Sequence, residues 1–213
     1  MGGRRSHALV TLTYDPVMAI DGRTARALRT REAIVDASIA LVDEGDLRPT
    51  APRIAERAGV SVRSVFQHFD DLEGLYAAVA DRLIERLGLL NLSVDASQPL
   101  AARLPEVVHQ RSILLEAITP IRRAAAVHAP FSHEVRARLQ SGHDLLRTEI
   151  ERLFATELDA RGDAERVVLL DALDTVLSWP SWDNLRGLNG RSVDEARAVL
   201  HTMVAALLET SVA

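Results

Sequence analysis

Between Thr30 and Val79 the chain carries three short helical patterns interrupted at glycines, and that spacing leaves few folds open. Ile34, Ala37, Ser38, Leu41 and Val42 recur at intervals of three and four, so they line one face of a helix. Thr30 with Glu32 and Ala33 supplies a start signal, and Gly45 a stop. Thr50 precedes Ala51-Pro52-Arg53 and is placed to cap a second helix, where a proline in the first turn loses no hydrogen bond. Ile54, Ala55 and Ala58 form the inner face of that helix, and Gly59 permits a sharp turn after it. Ser61 is the expected cap of a third helix. Its Val65 and Phe69 turn inward, leaving Val62, Arg63, Ser64, Phe66, Gln67 and His68 outward. The pattern predicts a helix-turn-helix with a polar, donor-rich outer face.

Helical periodicity continues almost to the end. Asp70 or Asp71 can cap a helix through Leu72, Leu75, Val79, Leu83, Ile84 and Leu87 that runs from the first unit into the body. After a polar break at 93–99 come an apolar helix through Leu104, Val107, Val108, Arg111, Leu114 and Leu115, and a short one from Pro120 to Ala126. A long stripe from Phe131 to about Ala160 follows, with Val135, Leu139, Leu145, Leu146, Ile150, Leu153, Phe154 and Leu158. Gly162 ends it, Asp163 caps a helix to about residue 179, Pro180 to Gly190 forms a connector, and Ser192 with Glu195 has capping-box spacing for a final helix. No strand pattern competes with this, and no repeat or low-complexity tract occurs. The fold class is all-α: an N-terminal three-helix helix-turn-helix domain plus a C-terminal helical ligand-binding and dimerisation domain.

Composition narrows the function classes. A chain of 213 residues buries roughly 70% of its surface by size scaling and needs no covalent staple. With no cysteine there is no thiol chemistry, and no apolar run approaches a membrane span of about 20 residues. No signal peptide is evident, which predicts a cytoplasmic protein. Residues 1–69 carry 10 Arg against 8 Asp plus Glu, whereas residues 70–213 carry 15 Arg against 22 acids. A mildly basic end on an acidic body suits nucleic acid at that end. All 25 basic residues are arginine, so every phosphate contact available is a planar guanidinium fork.

The succession Thr50, Ile54-Ala55, Ala58-Gly59-Val60-Ser61, then Phe66, His68-Phe69, Glu73 and Leu75 resembles the tetracycline-repressor (TetR) family of bacterial transcription regulators over about residues 30–79. The resemblance implies a homodimer whose N-terminal domains bind a near-palindromic double-stranded DNA operator. The C-terminal domains would pair and hold a small-molecule effector. Two positions depart from the family pattern. Phe66 stands where a tyrosine often touches phosphate, and Leu72, beside Asp70 and Asp71, stands where lysine is usual.

Three segments are expected: 1–29 as a flexible basic arm, 30–71 as the DNA-binding domain, and 72–213 as the effector-binding and dimerisation domain. Arginines 23, 26, 29 and 31 would lie along a groove or simply be solvated. The expected DNA-binding set is Thr50, Arg53, Ser61, Val62, Arg63, Ser64, Phe66, Gln67 and His68, with Arg63 forking onto guanine. The expected effector-binding set is Leu87, Arg111, Leu114, Arg122, Leu146, Trp179 and Trp182. Arg111 and Arg122 meet an acidic effector or, more often for such arginines, pair with a glutamate or face water; Trp179 and Trp182 wall a pocket or, preferentially, pack a helix end. The two last long helices are apolar over more than half their circumference, which favours self-association over a purely internal role.

Enzyme motifs are lacking: no Gly-x-Ser-x-Gly, phosphate loop or dinucleotide fingerprint. His109, His128, His133 and His143 do not share a helical face with an acidic partner, so no metal or cofactor is expected. The expected function is a transcriptional repressor released from its operator by the effector. The alternative is a helical binding module with weakened DNA contact, acting through ligand or protein partners.

Overall fold

A computed structural model describes residues 22–89 and 94–209, and among them helices account for nearly all regular structure, with no strand. Residues 1–21 of the expected arm lie outside the described residues. The first helix, α1 (Gly22–Asp43), begins well before Thr30. The run from Arg23 to Arg29 has no breaker and is rich in alanine, leucine and arginine, all good helix formers. Thr30 sits inside the helix, where its hydroxyl donates to the Arg26 carbonyl at 3.0 Å instead of capping. Arg23, Arg26 and Arg29 therefore ride on a helix, not on a flexible arm.

Helices α2 (Ala51–Ala58) and α3 (Val62–His68) follow, and α4 (Leu72–Leu89) leaves the unit. Ile34, Ile39, Leu41, Ile54, Val65, Phe69, Leu75 and Val79 share one apolar cluster, so the first half of α4 belongs to the N-terminal core. Asp71 accepts from the Gly74 N–H at 2.8 Å and caps α4.

In the body, α5 (Leu100–His128) replaces the two expected helices and passes unbroken through Pro105 and Pro120. Each interior proline costs about 3 kcal/mol. Burying Leu104, Val107, Val108, Leu114, Leu115 and Ile118 against the body core stabilises by about 1.5–3 kcal/mol per side chain, which outweighs that cost. The long stripe divides instead into α6 (His133–Leu153) and α7 (Ala155–Asp159), with a bend at Phe154 (φ −112°, ψ 23°). That bend sends the Phe154 ring wholly into the core, while Leu145 and Phe131 fall off the stripe at 61% and 80% exposure.

Gly162, not Asp163, is the cap position of α8 (Asp163–Val176), and Asp163 occupies the first turn, where its charge favours the helix dipole. The expected connector is itself helical: α9 (Trp179–Asp183), opened by Pro180 in its first turn, runs into a single π-turn at Asn184–Leu188. Burial of Trp182 anchors it. The last helix, α10 (Val193–Glu209), starts with the predicted capping box. The Ser192 N–H donates to Glu195 at 2.8 Å and the Glu195 N–H to the Ser192 hydroxyl at 3.2 Å. No helix among the described residues is long and apolar enough to cross a membrane.

One buried cation, Arg103, was given no role by the sequence reading. It donates to both Glu157 oxygens at 2.6 and 2.7 Å and to the carbonyls of Ala96 and Gln98, which ties α5, α7 and the segment before α5 together.

Candidate functional site

The turn between α2 and α3 is set by two local devices. Gly59 adopts φ 67°, and the Val60 N–H reaches back to the Ala55 carbonyl at 2.9 Å, closing the helix end. Two residues on, the Ser61 hydroxyl accepts from the Ser64 N–H at 3.1 Å and opens α3. Thr50 occupies the cap position of α2, yet its side chain makes no capping bond; only its carbonyl receives the Ile54 N–H. Its hydroxyl is thus left exposed to solvent.

On α3, Val65 is buried, whereas Val62 and Phe66 are 39% and 47% exposed and Arg63 and Gln67 are exposed as well. Arg63 has no ion-pair partner among the described residues. Ser64 and His68 are half-buried at the flank of this face. Arg53 differs from Arg63: it is held by Asp46 at 2.6 Å, so a phosphate must compete for it. Behind the face, Arg31 of α1 stacks over the Phe69 ring at 4.5 Å, a contact the sequence pattern did not single out.

A cavity of about 1050 Å³ lies beneath this unit. Ser38, Val42, Leu47, Pro49 and Tyr76 contribute from the N-terminal side, and the rest comes from the middle of α4, from α5 and α6, and from the end of α8 through the start of α9. Of the expected effector residues, Arg111, Leu114, Arg122, Leu146 and Trp179 line it. Trp182 does not: it is fully buried and donates to Glu116 at 2.9 Å, pinning α9 to α5. The side chain of Leu87 lies outside the described residues.

The cavity wall is mostly apolar but carries cations. Arg111 is 4% exposed and pairs with Glu149 at 3.4 Å, leaving its Nη1 without an acceptor. Arg122 lies over the Trp179 ring at 5.2 Å, and that indole donates to the Thr119 hydroxyl at 3.2 Å. Burial holds both guanidinium pKa values below the ordinary arginine value, although arginine stays cationic. His128 stacks on Tyr76 with ring centroids 4.2 Å apart, at the seam between body and N-terminal unit. These positions are far apart in sequence, so no local pattern could have announced the contact.

Residues 34–79 match the family model described as bacterial regulatory proteins of the tetR family. Among curated protein sequences none matches the chain. A solved transcriptional regulator from Rhodococcus sp. Rha1 is 19% identical with a TM-score of 0.63, over 86% of this chain and 96% of that one. A tetR-family transcriptional regulator from Streptomyces coelicolor is 18% identical with a TM-score of 0.65, over 84% and 80% respectively. The multidrug binding protein EbrR, solved with imidazole, is 19% identical with a TM-score of 0.54, over 81% and 93%. At such identities the likeness carries the fold.

Proposed function

This chain belongs to the TetR family of bacterial regulatory proteins, whose members are DNA-binding transcriptional regulators, and on that premise we propose that it is a cytoplasmic, homodimeric repressor released from a near-palindromic operator by a small molecule. The observation that carries this reading is one cavity bounded by α1 and α4 of the N-terminal unit as well as by the body, in a chain whose α3 leaves Arg63 and Gln67 exposed.

In this proposal α3 enters the major groove and Arg63 forks onto guanine O6 and N7. Val62 and Phe66 supply apolar contact to thymine methyl groups, and Ser64 and Gln67 single hydrogen bonds. Thr50, Arg53, Ser61 and His68 hold backbone phosphates, which fixes register without reading sequence. The dimer would form across α8 and α10, where Val167, Val168 and Met203 are 55%, 54% and 40% exposed. A ligand in the cavity touches α1 and α4 as well as α5 and α6, so its binding can bias how the reading unit sits on the body. A difference in affinity of about 1–3 kcal/mol between two states changes operator occupancy roughly 5- to 150-fold.

The test is a gel shift on DNA flanking its own gene. Arg63→Ala is expected to lose about 1–3 kcal/mol of discrimination against non-operator DNA with dimerisation intact; unchanged preference removes Arg63 from the reading face. Val168→Glu is expected to shift sedimentation from dimer to monomer, and an unaltered profile moves the interface elsewhere. The second reading, a helical module acting through ligand or protein partners, draws on exposed Asp70 and Asp71 beside α3. It is favoured if affinity for DNA fails to fall with salt, since phosphate contacts impose a steep negative slope.

A further inference from the structure

Among the described residues, one cation of the cavity, Arg122, has no carboxylate to balance it. The acidic residues of the cavity are already engaged: Glu149 with Arg111 at 3.4 Å, and Asp174 with Arg147 at 3.4 Å and His143 at 3.5 Å. Among the other lining arginines, Arg138 is paired with Asp81 at 2.8 Å and Arg136 donates to the carbonyls of Ala129 and Pro130. Arg122 has no carboxylate partner among the described residues, and its Nε is buried without an acceptor. What lies against the guanidinium instead is the electron-rich face of Trp179, at 5.2 Å.

A partly desolvated guanidinium beside an aromatic face is poorly compensated, because a ring quadrupole replaces only part of the hydration the charge has lost. The buried Nη1 of Arg111 and Nε2 of His128 also lack acceptors on the same cavity. Among the described residues every buried side-chain polar atom on this wall without a hydrogen-bond partner is a nitrogen, Nε of the ion-paired Arg138 included, and the arginine nitrogens can act only as donors. The remaining wall is dominated by aliphatic side chains such as Leu114, Ile118, Leu139 and Leu146.

We propose that the cavity takes an amphipathic carboxylate, its anionic head forked onto Arg122 beside Trp179 and its apolar body laid along the leucine and isoleucine wall. This rests on the reading of the cavity as an effector site and names the effector class. A carboxylate matches the planar fork of a guanidinium with two parallel hydrogen bonds. An alcohol of the same length would satisfy one donor and leave the charge unbalanced. A cationic amphiphile would add like charge to Arg122. Specificity for the head group thus falls to one residue.

Calorimetric titration of the whole protein, without DNA, with decanoate, decanol and decyltrimethylammonium tests this. Decanoate is expected to bind at least about tenfold tighter than decanol, with the ammonium weakest. Arg122→Gln is expected to abolish that preference while leaving decanol binding and the thermal midpoint unchanged or the midpoint raised. Arg122→Met serves the same purpose if the glutamine variant does not fold. Arg123→Gln, an exposed neighbour paired with Asp183, is expected to keep the preference. Decanol binding as tightly as decanoate in the unsubstituted protein, a tightest ammonium, no binding by any probe, or a preference that survives both Arg122 variants would each overturn the proposal. Because no DNA is present, a failed operator assay leaves this result intact. Conversely, decanoate binding that leaves a gel shift unaltered sinks the release mechanism and not the site.

Discussion

In the N-terminal unit Ile34, Ile54, Val65 and Leu75 meet at 1% exposure or less, with side chains of α1 to α4 on every side. In the body Leu114, Leu139 and Leu146 instead stop at the wall of a cavity of about 1050 Å³. A close-packed core has few alternative arrangements, so the unit that carries α3 behaves as a rigid reader. A core with empty space keeps its lining side chains free to repack, which suits a sensor. The contrast is not between the two units as wholes, because Arg103, Phe154 and Trp182 of the body are as deeply buried as the core of the reader.

Arg103→Ala is the largest expected effect and marks where the soft region ends. It leaves Glu157 without its bidentate partner and removes two carbonyl contacts, and breaking a buried pair costs about 3–5 kcal/mol. A denaturant midpoint that barely moves would mean that the body is loose throughout. The paired variants Ile54→Ala and Leu139→Ala sharpen the comparison next. Ile54 is fully enclosed and its truncation is expected to cost about 2–5 kcal/mol. Leu139 already faces open volume on one side, so its truncation forfeits fewer contacts and is expected to cost well under half as much. Equal losses in chemical denaturation would erase the distinction between the two cores.

That same division governs what the residues disclosed in advance. Gly59 and Ser61 act on atoms within five residues of themselves, so the turn, the cap and the outward set on α3 followed from local rules. The capping box at Ser192 and Glu195 was legible for the same reason. Pro120 misled because its cost is local, whereas the burial that overrides it comes from distant elements packed on α5, chiefly α9 and α10. Phe154 bends the chain for a core that no neighbouring residue reveals. Trp179 and Trp182 look equivalent in a short motif, yet a shift of three residues on one turn sends one ring to the cavity and the other into the interior. Arg111 and Arg122 were marked together; only contacts across the fold, the Glu149 carboxylate for the first and, among the described residues, a Trp179 ring but no carboxylate for the second, separate a neutralised cation from an unbalanced one.

The smallest expected effect falls at the seam between the two regions. Burial, with Arg48 nearby, lowers the His128 pKa below the ordinary imidazole value, while a backbone hydrogen bond to Leu47 works in the opposite direction. A lowered folded pKa means that the unfolded chain binds the extra proton more readily, so stability rises with pH through that window. The thermal midpoint should therefore be constant above about pH 7 and begin to fall below about pH 6.5, the unfolded imidazole value. Carboxylates with lowered pKa, such as Glu116 and Glu195, add their own loss only in more acidic solution. His128→Phe keeps an aromatic ring against Tyr76 at the seam and removes the titrating nitrogen. It should flatten the slope just below about pH 6.5 while leaving the midpoint at pH 8 nearly unchanged. An identical slope in the variant would place the proton uptake at another histidine and leave the seam without a titrating group of its own.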